Sequence, residues 1–98
     1  MRKSDKKIDN EIIRRLTEVC EAAKQRCTGF VWLTHEVNYQ RFPQSLKVTL
    51  VFDDEIAEAL LLSEFRGLVI EVQRALEPVV GGALPANQIE ARREHTLH

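Results

Sequence analysis

Residues 30–37 read FVWLTHEV and residues 46–52 read LKVTLVF, and these two stretches decide the fold. Both are rich in β-branched and aromatic residues, and apolar residues alternate with others from Leu46 to Phe52. This pattern is typical of β-strands. Because no helical segment separates them, we expect an antiparallel hairpin whose connection is longer than most hairpin loops.

A helical pattern precedes the hairpin. Between Ile8 and Cys27, apolar residues recur at intervals of three or four, and Ile13 and Cys20 widen the apolar stripe. This spacing predicts an amphipathic helix. Gly29 is expected to supply a left-handed residue just beyond the end of that helix.

A second helical pattern follows the hairpin. Its apolar residues continue at helical spacing, and Pro78 with the glycines beyond it is expected to end the region. Ser63 and Gly67 weaken the middle of the pattern. Two alternatives therefore stay open, either one helix or a pair over about 54–62 and 64–77.

The segment 87–94 is either a short edge strand or a tail, and the strand is the favoured alternative. The predicted order is α-β-β-α(-α)-(β). Since a hairpin alone is marginally stable, its apolar face needs the helices, which predicts an α+β two-layer domain. The 98 residues fit one domain, and we expect its ends, 1–6 and 95–98, to be flexible.

The sequence predicts a soluble, cytoplasmic protein. No apolar run approaches the ~20 residues that a membrane span requires. The basic start has no apolar segment behind it and so does not read as a secretory signal. Cys20 and Cys27 lie about 10.5 Å apart on one helix, beyond the ~7 Å that a disulfide allows, and we expect reduced thiols.

Signatures of common enzyme sites are absent from the sequence. It contains no nucleophile elbow, no catalytic-cysteine motif and no phosphate-binding loop. The histidines and cysteines have neither of the common zinc-ligand spacings. We therefore predict no catalytic residue, no cofactor and no metal site.

Charge is unevenly distributed along the chain. Residues 1–28 carry eight basic and five acidic side chains, whereas residues 53–80 carry two basic and seven acidic side chains.

A nucleic-acid surface needs basic groups with aromatic rings that stack on bases. The candidate set is Tyr39, Arg41, Phe42, Lys47, Arg14 and Arg15. The alternative is that Tyr39 and Phe42 fold back to close the domain while Arg41 is solvated.

If the second helical region were broken and 87–94 formed a strand, the order would resemble the type II KH arrangement of RNA-binding domains. Those domains clamp the nucleic-acid backbone with Gly-x-x-Gly between two helices. At that place this chain has Ser63-Glu64-Phe65-Arg66-Gly67. The resemblance implies an RNA-binding fold without its binding motif.

The stretch His35–Pro43, HEVNYQRFP, and its flanking strands are similar to a group of small uncharacterised bacterial proteins. The resemblance covers roughly residues 6–53 and implies a bacterial cytoplasmic protein. Some members are labelled Fis-type transcriptional regulators, which would imply a DNA-binding helix-turn-helix at the C-terminus. Residues 83–98 depart from that pattern, since they contain Pro85 and no pair of helical stripes.

Three functions are compatible with these patterns. The first is a non-catalytic interaction or regulatory module that pairs with itself or with a protein partner, because Leu60, Leu61 and Leu62 point in three directions around a helix. The second is a nucleic-acid-binding regulator that uses the loop 38–47 and the basic first helix. The third, less favoured, is a small-molecule sensor with a pocket around Trp32, His35 and Phe65.

Overall fold

The computed structural model describes residues 2–95. The predicted α+β fold is confirmed, with the order α-β-β-α-β. The elements are α1 (Lys3–Arg26), β1 (Phe30–Glu36), β2 (Lys47–Phe52), α2 (Glu58–Val80) and β3 (Ile89–Arg93). Single 3-10 turns lie at Tyr39–Arg41 and Ala86–Gln88. The ends, 1–6 and 95–98, were expected to be flexible. Residues 1 and 96–98 lie outside the described residues, and α1 already begins at Lys3.

The three strands form one sheet in the order β1-β2-β3. β1 and β2 are antiparallel, as predicted, with Leu33 opposite Leu50. β3 lies parallel to β2, with Val48 opposite Ile89. A parallel neighbour requires a crossover connection, which α2 supplies. The strand favoured within 87–94 is therefore present.

The two helices and the sheet share one core. α1 buries Ile12, Leu16, Val19 and Ala23, which follow the predicted spacing of three or four. β2 is the central strand and is buried along most of its length. The largest fully buried side chains come from both helices, β2 and the connecting segments: Ile12, Leu16, Leu46, Val48, Leu50, Phe52, Leu68, Val72, Leu76 and Leu84.

α2 is one continuous helix, so the alternative with a break at 63–67 is wrong. Leu61 and Leu68 are both buried on its core face, and this packing outweighs the low helix propensity of Gly67. Pro78 lies inside the helix, which ends only at Gly81 with φ of 79°. Without two helices there, the condition for the type II KH arrangement is not met.

Gly29 has a different role from the expected one. Among the described residues, Gly81 is the glycine with positive φ. Gly29 instead allows the backbone of this turn to lie close to the side chain of Ile56, because a Cβ added at position 29 would be 2.1 Å from Cδ1 of Ile56. Its amide also faces the carboxylate of Glu64, at 3.3 Å from Oε1. This contact ties the turn between α1 and β1 to α2.

The C-terminal segment holds no helix-turn-helix in its described part. After α2, residues 83–95 form a loop, a 3-10 turn and β3. The guanidinium of Arg93 donates to the backbone oxygens of Asp54 and Ile56, at 3.0 and 2.7 Å, which holds β3 against the segment before α2.

Candidate interaction surface

The long connection between β1 and β2 is closed by its own hydrogen bonds. The side-chain oxygen of Asn38 accepts from the amide of Gln40 at 3.0 Å. The hydroxyl of Ser45 donates to the carbonyl of Asn38 at 2.7 Å, while the amide of Asn38 donates to that hydroxyl at 2.9 Å. Gln88 also donates to the carbonyl of Leu46 at 2.7 Å. These bonds give the loop a defined shape.

Tyr39 and Phe42 fold back onto the domain. The hydroxyl of Tyr39 donates to Oδ1 of Asp9 in α1 at 2.6 Å. The two rings lie 5.7 Å apart between centroids, and Phe42 packs against the core. The geometry therefore corresponds to the alternative in which both rings close the domain.

Asp9, His35 and Tyr39 form a polar cluster between α1, β1 and the loop. The ring of His35 lies 3.3 Å from Oδ1 of Asp9, measured from Nε2. The hydrogen bond from Tyr39 is the main cause that lowers the pKa of Asp9, and His35 adds to it. Burial and the neighbouring Asp9 charge raise the pKa of Tyr39.

Replacing Tyr39 by Phe is expected to destabilise the protein by about 1–2 kcal/mol at neutral pH, because Asp9 loses a charge-assisted hydrogen bond. The folded-state pKa of Asp9 lies below its unfolded value. The stabilisation is therefore fully present above ~pH 4 and is lost as the pH falls through the folded pKa. Urea unfolding of both proteins at neutral and acidic pH checks this. A difference that grew on acidification would contradict it.

Most of the basic side chains proposed for nucleic acid are engaged within the protein. Arg14 contacts Glu11 and, at 3.3 Å, Glu18. Arg15 also contacts Glu11, at 2.8 Å, and donates to the carbonyl of Ala75 in α2. Lys47 lies 3.2 Å from Glu90 of β3. Arg41 is exposed. The structure does not bring the six candidates together as one basic surface.

The three leucines of α2 do not form one surface either. Leu61 is buried in the core of its own chain, with 7% of its surface exposed, so it is not available to a partner. Leu60 and Leu62 are exposed, at 41% and 44%. They lie about 160° apart around the helix, since each residue turns it by roughly 100°. One flat partner cannot cover both.

The proposed pocket around Trp32, His35 and Phe65 is not formed as predicted. Side chains alternate along a strand, so residues 32 and 35 project from opposite faces of β1. His35 faces α1, where it meets Asp9, and Trp32 is exposed. These two side chains therefore cannot line one pocket.

The two edges of the sheet differ in how they are protected. β3 carries Glu90, Arg92 and Arg93 among its five residues. Charged residues on an edge strand oppose pairing with another chain. β1 has no charged residue from Phe30 to Thr34, and its one irregularity is a register shift between Phe30 and Trp32.

A groove of mixed polar and apolar lining runs between α1 and this edge, where Phe30–Thr34 carries no charge. We call it the edge groove, and its volume is about 330 Å³. Its lining residues are Ile13, Leu16, Thr17, Cys20, Glu21 and Lys24 from α1, with Leu33, Thr34 and His35 from β1. Ile13 is 46% exposed although it is large and apolar. The groove thus places Ile13 and Cys20 of α1 beside the strand that has no partner on its outer side.

Of these groove residues, the sequence pointed only to His35, and it did so for a pocket with Trp32 and Phe65 that is not formed. The available signals were Ile13 and Cys20, which widen the apolar stripe of α1 beyond what one core needs, and the uncharged run at the start of β1. Neither was sufficient, because the sequence does not show that β1 is an edge strand.

The described residues show no grouping of three or more His, Cys, Asp or Glu side chains suited to a metal ion. Within residues 2–95, no helix is long and apolar enough to cross a membrane.

Comparisons with protein-family models, curated proteins and solved structures find no match to this chain.

Proposed function

We propose that this protein is a non-catalytic interaction or regulatory module that self-associates through the edge groove and the outer edge of β1. The observation that carries the proposal is the position of a groove containing Ile13, Leu16, Cys20 and Leu33 beside an edge strand that has no charge from Phe30 to Thr34. A bacterial cytoplasmic setting belongs to the same proposal. Its cytoplasmic part is supported by the two free cysteines, Cys20 and Cys27, since thiols stay reduced in the cytoplasm.

The physical basis is the exposed backbone of an edge strand. Its outer N–H and C=O groups can pair with another strand, and proteins usually oppose this with charges. β3 has such charges, whereas Phe30–Thr34 has none. Next to that stretch, Ile13 and half-buried Leu33 present apolar surface whose burial stabilises a complex.

The nucleic-acid alternative has weaker support. Affinity for nucleic acid depends on basic groups that are free to neutralise phosphates. Arg14, Arg15 and Lys47 are neutralised by acidic neighbours of the same chain. The stacking rings of Tyr39 and Phe42 contact each other and the domain.

Replacing Ile13 by Glu is expected to abolish self-association, because a carboxylate would lose its hydration where an apolar side chain makes the contact. Ile70→Glu is the matched control, since Ile70 is 49% exposed and lies on α2, away from the groove lining. Sedimentation velocity over a range of protein concentrations measures the effect.

We expect the unaltered chain and Ile70→Glu to form the same assembly, and Ile13→Glu to remain monomeric with an unchanged far-UV spectrum. An unaltered chain that stays monomeric at high concentration would overturn the proposal. So would an assembly that Ile13→Glu leaves intact.

A further inference from the structure

The side of α1 that faces the edge groove has a self-complementary order of residues. Asp9 lies near its N-terminal end and Lys24 near its C-terminal end. Between them lie Ile13, Thr17 and Cys20, none of which is charged. Asp9 lies just beyond the groove lining, beside His35, and the charged Glu21 also lines the groove but lies outside this set. All five lie within about 80° of one another around the helix, given roughly 100° per residue. We call these five residues the groove stripe.

The groove stripe matches an antiparallel copy of itself. Asp9 and Lys24 are equally distant from the midpoint between Leu16 and Thr17, and so are Ile13 and Cys20. When two such helices lie antiparallel about that midpoint, each carboxylate meets an ammonium group of the other copy. Ile13 of each copy then meets Cys20 of the other, which places apolar side chains together.

β1 is compatible with the same symmetry. Leu33 and Thr34 line the edge groove together with Leu16 and Thr17, so the middle of β1 lies beside the middle of the stripe. A two-fold axis at this point relates β1 antiparallel to its copy. About an axis at Leu33 the whole strand pairs, so that Phe30 of each copy lies opposite Glu36 of the other. The one acidic residue of β1 therefore stands at the ends of the contact, while the middle carries no charge.

We infer that the occupant of the edge groove is a second copy of this chain, related by a two-fold axis near Thr17 and Leu33, with the two α1 helices antiparallel. This inference rests on the proposed function and adds the partner and its register. The apolar middle supplies affinity, and the charged ends select the register, because a shifted or parallel arrangement loses the opposite-charge contacts.

The state of Asp9 supports the charged end of this arrangement. Its carboxylate accepts from Tyr39 and lies beside His35, which fixes its position on α1. Like any Asp whose pKa is not raised, it is ionised at neutral pH, and the hydrogen bond from Tyr39 lowers its pKa further. Lys24 is exposed on the same side of the helix and is free to turn toward a partner carboxylate.

Disulfide trapping tests the register. Cys27→Ser removes the second thiol, and Ile13→Cys is then added beside the native Cys20. Within one helix these two positions are about 10.5 Å apart, too far for an intrachain disulfide, which needs less than ~7 Å. Ile70→Cys in the same background is the control, because Ile70 is similarly exposed but lies outside the stripe. Oxidised glutathione serves as the oxidant.

We expect Ile13→Cys to form a covalent dimer in which peptide mass spectrometry finds residue 13 linked to Cys20 of the other copy. The Ile70→Cys control should remain largely unlinked. If the chain sediments as a dimer but residue 13 does not link to Cys20, the register is wrong while self-association stands. If the chain is monomeric, or if the groove accepts only an unrelated peptide, the inference and the proposed function both fail.

Discussion

Replacing Leu68 by Ala is expected to lower the free energy of unfolding by about 2–5 kcal/mol, the range found when a fully buried leucine leaves a cavity. Leu68 is 1% exposed and belongs to the core face of α2, directly after the stretch in which a helix break was considered. Urea denaturation followed by circular dichroism measures the loss.

Leu62→Ala is the matched control on the same helix. Leu62 is 44% exposed, so the same change removes few contacts and should cost less than about 1 kcal/mol. Similar losses for Leu62 and Leu68 would contradict the orientation of α2. Both variants must be compared with the unaltered chain at equal protein concentration, because self-association adds to apparent stability.

Two glycines should respond oppositely to replacement by Ala. At Gly29 the new Cβ would lie 2.1 Å from Cδ1 and 2.8 Å from Cγ1 of Ile56, so the buried Ile56 must move. Such overpacking typically costs about 1–3 kcal/mol. At Gly67 nothing lies within 4 Å of the new methyl group. Gly67→Ala should therefore stabilise α2 by about 0.5–1 kcal/mol through helix propensity.

Thermal unfolding of the two glycine variants provides the measurement. The expected result is a lower melting temperature for Gly29→Ala and a higher one for Gly67→Ala. A neutral Gly29→Ala would show that the turn between α1 and β1 does not approach Ile56 closely. A destabilising Gly67→Ala would show that the middle of α2 is not a regular helix.

Local patterns were sufficient for the elements whose burial follows their own periodicity. The buried residues of α1 are those at the predicted spacing. In β2, Val48, Leu50 and Phe52 are buried as the alternation predicts, but Thr49 and Val51 between them are buried as well. The antiparallel hairpin follows from the same two strands. These features depend on residues that are close in sequence, and the periodicity of the sequence is enough to predict them.

Features that depend on distant contacts were not predictable. The continuity of α2 depends on the burial of Leu68, which outweighs the local effect of Gly67. The role of Gly29 depends on Ile56, which lies beyond the whole hairpin. The sequence could show that one of three successive leucines faces away from the core, but only the packing shows that Leu61 faces inward.

The candidate surface required the order of the strands. Nothing in residues 30–36 shows that this strand lies at an edge, and β1 is an edge because β3 adds to the other side of β2. The bond between Tyr39 and Asp9 likewise joins residues from different elements. Because of this hydrogen bond, Tyr39 packs against α1 and is not exposed for stacking on a base, as the sequence pattern had suggested.

The most direct test of self-association through β1 is amide hydrogen exchange at low and at high protein concentration. The outer amides of an edge strand exchange quickly unless another chain covers them. The account predicts that peptides from Phe30–Glu36 exchange more slowly at high concentration, while peptides from Ile89–Arg93 are unchanged. Unchanged exchange in β1, or concentration-dependent protection confined to β3 or α2, would contradict it.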